Sequence, residues 1–320
     1  MDIEQLLPFI LFFVGFIMII KGSDWFIDST IWVAKVLNVP NIIIGATLVS
    51  LCTTLPEAMV STSSALKGNA DIAFGNAIGS IACNTGFILG ITILLSKPSI
   101  HEKLDFQKKG LLLISLLLGL MGVGYYYGEL PLFIGFGLLG ILLLYLISNV
   151  KVAMEKPYDG EKEAIDKSKS TVMRMLVLFV IGLVLTIWGA NLLVDNGEKI
   201  ARLLGVPDVV IGLTLTAFGT SLPELVTAIT AFVKKAGDLS LGNIIGANLM
   251  NILLVIALST TILPINIEPS YLTMHLPFVI LIVCIPILAT FSKKGYFSRL
   301  TGFIMVATYA LYIGLTFYVA

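Results

Sequence analysis

The 320-residue chain is 57% hydrophobic and 12% charged, with 20 acidic and 20 basic residues and a mean hydropathy of +0.99. That composition excludes a soluble globular fold of this length and leaves an integral membrane protein, with no nucleic-acid partner expected. Cys52, Cys83 and Cys284 all fall in apolar stretches without metal-type spacing, so they are expected as small buried side chains.

A helix crossing the hydrocarbon core needs about 20 apolar residues. Ten runs qualify: 6–33, 41–66, 71–95, 109–126, 130–150, 172–200, 207–233, 238–262, 271–292 and 299–319. They are continuous and rich in Leu and Ile, without period-two alternation, which predicts an all-α membrane protein and not a β-barrel. The first run continues past Lys21 with no small-residue cleavage site, so it is expected to be a retained span. Sixteen of the 20 Lys and Arg residues lie in connections after odd-numbered spans, whereas the opposite connections hold Lys67, Lys199 and Arg202. The positive-inside rule then places the sixteen in the cytoplasm and both termini outside a cell membrane. Residues 151–171, the only long charged connection, read as a solvated cytoplasmic linker between a first half (1–150) and a second (172–320). Five spans per half is an odd number, so the second half must enter the membrane in the opposite sense, giving ten transmembrane helices as two inverted five-helix repeats. Transporters of that design bind their cargo near the midplane, where broken helices meet.

The halves are also related residue by residue. An ungapped offset of 167 superposes Thr53-Thr54-Leu55-Pro56-Glu57 on Thr220-Ser221-Leu222-Pro223-Glu224, Gly22 on Gly189, Asp28 on Asp195, Pro40 on Pro207, Gly75-Asn76 on Gly242-Asn243, Ile78-Gly79 on Ile245-Gly246, and Asn84 on Asn251. A carboxylate beside a proline within a membrane span is costly, about 2.5–3.5 kcal/mol for the charge alone, so a function is expected for both. Proline removes an N–H, which should free the carbonyls of Cys52 and Gly219 as cation ligands next to Glu57 and Glu224. Thr53 and Glu57, like Thr220 and Glu224, are spaced to share a helix face. Asn76, Ser80 and Asn84 form one polar stripe, matched by Asn243, Ala247 and Asn251; Asn84 and Asn251 are candidate ligands, and Asn76 and Asn243 better fit helix-to-helix bonding. Asp28 and Asp195 are expected near helix ends in structural or vestibule roles, and His101 and His275 at the surface or interface.

Two paired carboxylates in lipid need two positive charges, from one divalent ion, two monovalent ions or two protons. An all-oxygen set suits calcium better than the tight octahedron of magnesium, and the lack of symmetric His or Cys argues against a soft transition metal. No nucleophile, metal triad or cofactor loop accompanies the glutamates, so neither an enzyme nor a cofactor is expected.

Gly45-Ala46-Thr47 through Glu57, Gly75-Asn76-Ala77-Ile78-Gly79-Ser80 through Asn84, Gly212 through Glu224, and Gly242-Asn243-Ile244-Ile245-Gly246 through Asn251 together resemble the two α-repeats of the cation/calcium antiporter superfamily, most closely its sodium/calcium exchanger branch. The resemblance covers essentially the whole chain. It implies calcium held between Glu57 and Glu224 with oxygens from Thr53 and Thr220, exchanged for sodium that shares the glutamates and also uses Thr54, Ser221, Ser80 and the carbonyls of Ser50 and Ala217. A monomer in the lipid bilayer would suffice. Ala247 stands where that branch usually has a serine and Asn251 where it usually has an aspartate, which weakens one sodium position and leaves two carboxylates in the pocket. Protons are the alternative counter-ion, although the glutamate common after the Gly-Asn pair in the proton-coupled branch is missing from both repeats.

Overall fold

The computed structural model describes residues 3–68, 70–96, 98, 102–155, 166–203, 221–292 and 295–319. Its helices, in chain order, are α1 (Ile3–Leu37), α2 (Asn41–Thr53), α3 (Leu55–Leu66), α4 (70–96), α5 (Lys103–Tyr127), α6 (Leu132–Glu155), α7 (Lys169–Leu203), α8 (Leu222–Val233), α9 (Gly237–Ile262), α10 (Tyr271–Thr290) and α11 (Arg299–Val319). Among the described residues eight helices are long and apolar enough to cross a membrane, and α2 with α3, bent by 44°, makes a ninth. The chain is therefore a multi-pass, all-α membrane protein. The expected run 207–233 is described from Ser221 onward, so Thr220, Ala217, Gly219 and Gly212 lie outside the described residues, as does His101.

Helices α1 and α7 each have 35 residues, against the expected runs 6–33 and 172–200. At 1.5 Å per residue each is about 52 Å long, well beyond a hydrocarbon core of about 30 Å. Hydropathy marks where lipid ends, whereas a helix continues until something stops it. For α1 the stop is Asn38, at φ 55°, followed by Pro40. Asp28 and Asp195 consequently lie inside their helices rather than at the ends, a correction to the sequence reading. At the start of α7, Ser168 Oγ accepts the Thr171 N–H at 3.3 Å and Asp166 accepts the Ser168 N–H at 2.8 Å. The Thr171 hydroxyl, and after it the amide and hydroxyl of Ser168, donate to the Asp166 carboxyl and hold it below its ordinary range.

The α1/α7 pair is antiparallel and packs through glycine. A Cβ on Gly22 would fall 2.7 Å from the Gly182 carbonyl oxygen, and one on Gly15 would fall 2.8 Å from that of Gly189. Gly182 and Gly189 are the positions 167 residues beyond Gly15 and Gly22, so the partners are exchanged, as across a two-fold axis. The same exchange recurs where Gly90 of α4 meets Gly302 of α11 while Ala257 of α9 meets Gly135 of α6. Outward from the pair, Phe13, Ile17, Val180 and Trp188 are exposed, as lipid-facing positions should be. Helix α9 is the opposite case, buried on every face from Asp238 to Met250. A two-residue ladder, β1 (Glu129–Leu130) with β2 (Ile265–Asn266), joins the α5–α6 turn to the α9–α10 connection.

The turn between the broken helix and the next one is repeated as well. Gly68 has φ 88°, and its counterpart Lys235 has φ 60°. A side chain in that region costs roughly 1 kcal/mol, whereas glycine enters freely. Lys235→Gly should therefore raise the melting temperature in detergent by a few degrees, and an unchanged or lower value would contradict the strain.

Candidate ion-binding site

Thr54 adopts φ −83°, ψ −3° and Ser221, its counterpart, φ −89°, ψ 5°. A ψ near zero marks each as a turn residue: α2 ends before Thr54 and α3 starts just after it, and α8 starts just after Ser221. Pro56 and Pro223 fall in the first two positions of α3 and α8, where a missing N–H removes a donor the helix start leaves unpaired anyway. The prolines thus open new helices rather than kink continuous ones. Glu57 and Glu224 occupy the first turns, at the positive ends of the helix dipoles, which favours a carboxylate there.

The break also overturns one expectation. Thr53 ends α2 while Glu57 lies in the first turn of α3, bent from α2 by 44°, so the two do not share a face of one helix. Thr53 lies instead beside the carboxylate of Glu224, from the other half. Its hydroxyl is also within reach of the Ser50 carbonyl and Asn243 Oδ1, each at a long 3.4 Å. The Ser50 carbonyl further accepts the Thr54 N–H at 3.0 Å, so it is partly engaged.

Glu57 and Glu224 are both fully buried and close enough to repel one another. The chain widens into π turns at Cys83–Leu89 and Asn251–Ile256, equivalent stretches that begin at or beside Asn84 and Asn251. The turn carrying Asn84 packs against α8, and that carrying Asn251 packs against α3. Each asparagine is therefore set against the helix that bears the other half's glutamate. Such turns often mark functional sites, and no periodicity in the sequence announces them.

Hydrogen bonding sorts the polar stripe into two kinds of residue. Asn76 donates to Ser61 at 3.0 Å, and Asn243 donates to Thr227 at 3.2 Å, so both bridge helices as the sequence suggested. By contrast, Thr54 Oγ1, Ser80 Oγ, Ser221 Oγ, both Asn84 side-chain atoms, Asn251 Oδ1 and all four oxygens of Glu57 and Glu224 are buried without a partner. Those ten atoms make up most of the 17 such atoms among the described residues. Each unmade bond costs about 1–3 kcal/mol, and more for a charge; nine of the ten atoms are oxygens, the exception being the Asn84 Nδ2 donor, so their concentration on one set of residues calls for a guest that supplies positive charge. Among the described residues no three His, Cys, Asp or Glu side chains converge, so any cation held here must complete its shell with hydroxyl, amide and carbonyl oxygens.

Sequence reasoning set one neighbour of the site near the glutamates but read it only as a small buried side chain. Cys83 lies beside Ser221 and Tyr309 and within electrostatic reach of both glutamates. Its place next to Asn84 was the available signal. Tyr145 was unremarked: its hydroxyl donates to the Ala46 carbonyl at 2.7 Å and ties α6 to the broken helix.

Family comparison resolves the same two units. The sodium/calcium exchanger protein family matches residues 7–151 and again 174–318, two segments displaced by the 167 residues that relate the glutamates. The chain belongs to that family. A membrane protein of Methanocaldococcus jannaschii, MJ0091, is 34% identical over 308 residues, covering 94% of this chain and 95% of its own. Sodium/calcium exchanger MaX1 of Methanosarcina acetivorans is 28% identical over 97% of this chain and 99% of its own. Among solved structures, the sodium-calcium exchanger NCX_Mj soaked with zero Na+ and Ca2+ superposes with a TM-score of 0.84 at 32% identity, over 97% of this chain and 99% of that one.

Proposed function

We infer that the protein is a secondary antiporter that exchanges Ca2+ for Na+ across the cell membrane, at a midplane site shared by two inverted five-helix repeats. The observation that carries this reading is the set of nine partnerless buried oxygens contributed by both halves, four of them from carboxylates. Two carboxylates set the demand at two positive charges, which one calcium or two sodium ions meet equally. Competition for the same oxygens is then what couples the ions. Glu57, Glu224, Thr53 and Thr220 hold calcium, and Thr54, Ser221, Ser80, Asn84, Asn251 and the carbonyls of Ser50 and Ala217 extend the site for sodium. Exchanged partners at Gly15–Gly189 and Gly22–Gly182 support the inverted arrangement, as does the doubled family match. Ten spans, with both termini outside, follow if residues 207–233 cross as one.

The test is calcium uptake into proteoliposomes driven by an outward sodium gradient at equal pH on both sides. Uptake with sodium inside and little with potassium inside is the expected result. Ala247 and Asn251, which depart from the exchanger pattern, favour protons as the second reading. Uptake driven by a pH gradient without sodium would replace sodium with protons, and no uptake under either gradient would reject antiport.

A further inference from the structure

The α1/α7 pair is fastened to the rest of the bundle unevenly. Lys234, just past the end of α8, reaches Asp24 at 2.6 Å and Asp28 at 2.7 Å, both on α1. One turn deeper, Ser23 Oγ donates to Thr230 Oγ1 at 2.9 Å. These polar contacts border a cleft of about 620 Å³ between the two helices, lined by Phe16, Ile20, Asp24, Val226, Thr230 and Lys234, while Ile19 packs with Leu222 in a small apolar cluster. Shifting these residues by 167 generates the counterpart: Lys67 just past α3, with Asp195 and Asn191 on α7 at the positions that correspond to Asp28 and Asp24. Among the described residues neither Lys67 nor Asp195 forms an ion pair, and both are exposed. Helix α7 likewise makes no packing with α3 comparable to that of α1 with α8.

Two equivalent latches, one closed and one open, are what an inverted-repeat transporter presents when its halves occupy different conformations. Reversing the facing of such a protein exchanges the conformations of its repeats. We propose that Lys234–Asp28 and Lys67–Asp195 are alternating ion latches: movement of the α1/α7 pair that opens one closes the other, so each stabilises one facing state. The inference rests on the antiport reading through alternating access alone and is independent of the counter-ion. The latches are unequal. Lys234 meets two carboxylates, whereas Asn191 stands where a second would face Lys67, so the state with the Lys234 latch closed is favoured. By the placement of basic residues, that latch is at the cytoplasmic end.

Distance distributions between ketone-directed spin labels decide the matter in the full chain, in nanodiscs free of calcium. One label pair sits at positions 37 and 233 and the other at 66 and 203, leaving the three native cysteines untouched. Lys234→Gln should lengthen the first distance and shorten the second, changing the population ratio about two- to fivefold, the size expected of a half-exposed ion network. Lys67→Gln should shift the ratio the opposite way, and Asn191→Asp, a gain of charge, should shift it in the direction of Lys234→Gln. Lys67→Gln acting in the same direction as Lys234→Gln, or a single unchanging distance in all variants, would overturn the proposal. Transport by the unaltered protein, measured alongside, reports separately on the antiport reading. Loss of that reading with opposite shifts intact would leave the latches standing as a conformational feature.

Discussion

Glu57→Gln and Glu224→Gln should each abolish calcium uptake into proteoliposomes while leaving the ion-free protein at least as heat-stable as before. Each glutamate is fully buried with both oxygens unpartnered, and the two face one another closely enough to repel. In the absence of ions, exchanging one carboxylate for an amide of the same shape removes a buried charge and a like-charge contact, so folding should gain or stay level. With calcium the sign reverses. Removing one member of a buried charged set costs about 3–5 kcal/mol of interaction, which is at least about a hundredfold in affinity. A ligand that binds only the folded state raises its melting temperature, so the calcium-induced rise seen in the unaltered protein should vanish in either variant. The two measurements separate a site residue from a folding residue. A variant melting well below the parent without ions would mark the glutamate as structural, and one retaining the calcium-induced rise would exclude it from the site.

Much of this site was legible in the sequence because the same residues had to be written twice. A lone Leu-Pro-Glu in an apolar run is ambiguous, but Glu57 and Glu224 at one offset, with Asn84 and Asn251 at the same offset, reveal a symmetric object before any coordinate is known. The helices were legible for a simpler reason, since bilayer thickness fixes a length that composition displays. What stayed hidden depends on backbone geometry that side-chain types do not encode. Thr53 was paired by spacing with Glu57, and only the break at Thr54 carries it across to Glu224. The π turns beside Asn84 and Asn251 shift residue facing without changing composition. Helices α1 and α7 outran their apolar runs because charged residues such as Lys35 and Arg202 continue a helix as readily as they end a membrane span.

The largest structural effect is expected at the α1/α7 crossing. Gly22→Leu would place a Cβ 2.6 Å from the Thr186 amide nitrogen and 2.7 Å from the Gly182 carbonyl oxygen, both backbone atoms that no rotamer change can clear. The helices would have to separate along a contact where, in lipid, close backbone approach is itself a source of association. Overpacking costs about 1–3 kcal/mol in ordinary cores, and an obstruction by two backbone atoms belongs at or above the top of that range. Exchanged contacts make a second statement: Gly189→Leu, at the equivalent position, obstructs Gly15 and the Ile19 amide nitrogen and should lower the melting temperature by a similar amount. Gly137→Leu is the control, because that glycine is exposed on α6 and a Cβ there meets nothing within 4 Å. On the antiport reading, transport should fall with the first two and persist with the third, since a pair forced apart would lose its packing against the rest of the bundle. Equal stability of all three variants would mean that the glycines do not govern the crossing, and the two-fold exchange of partners would lose its energetic meaning.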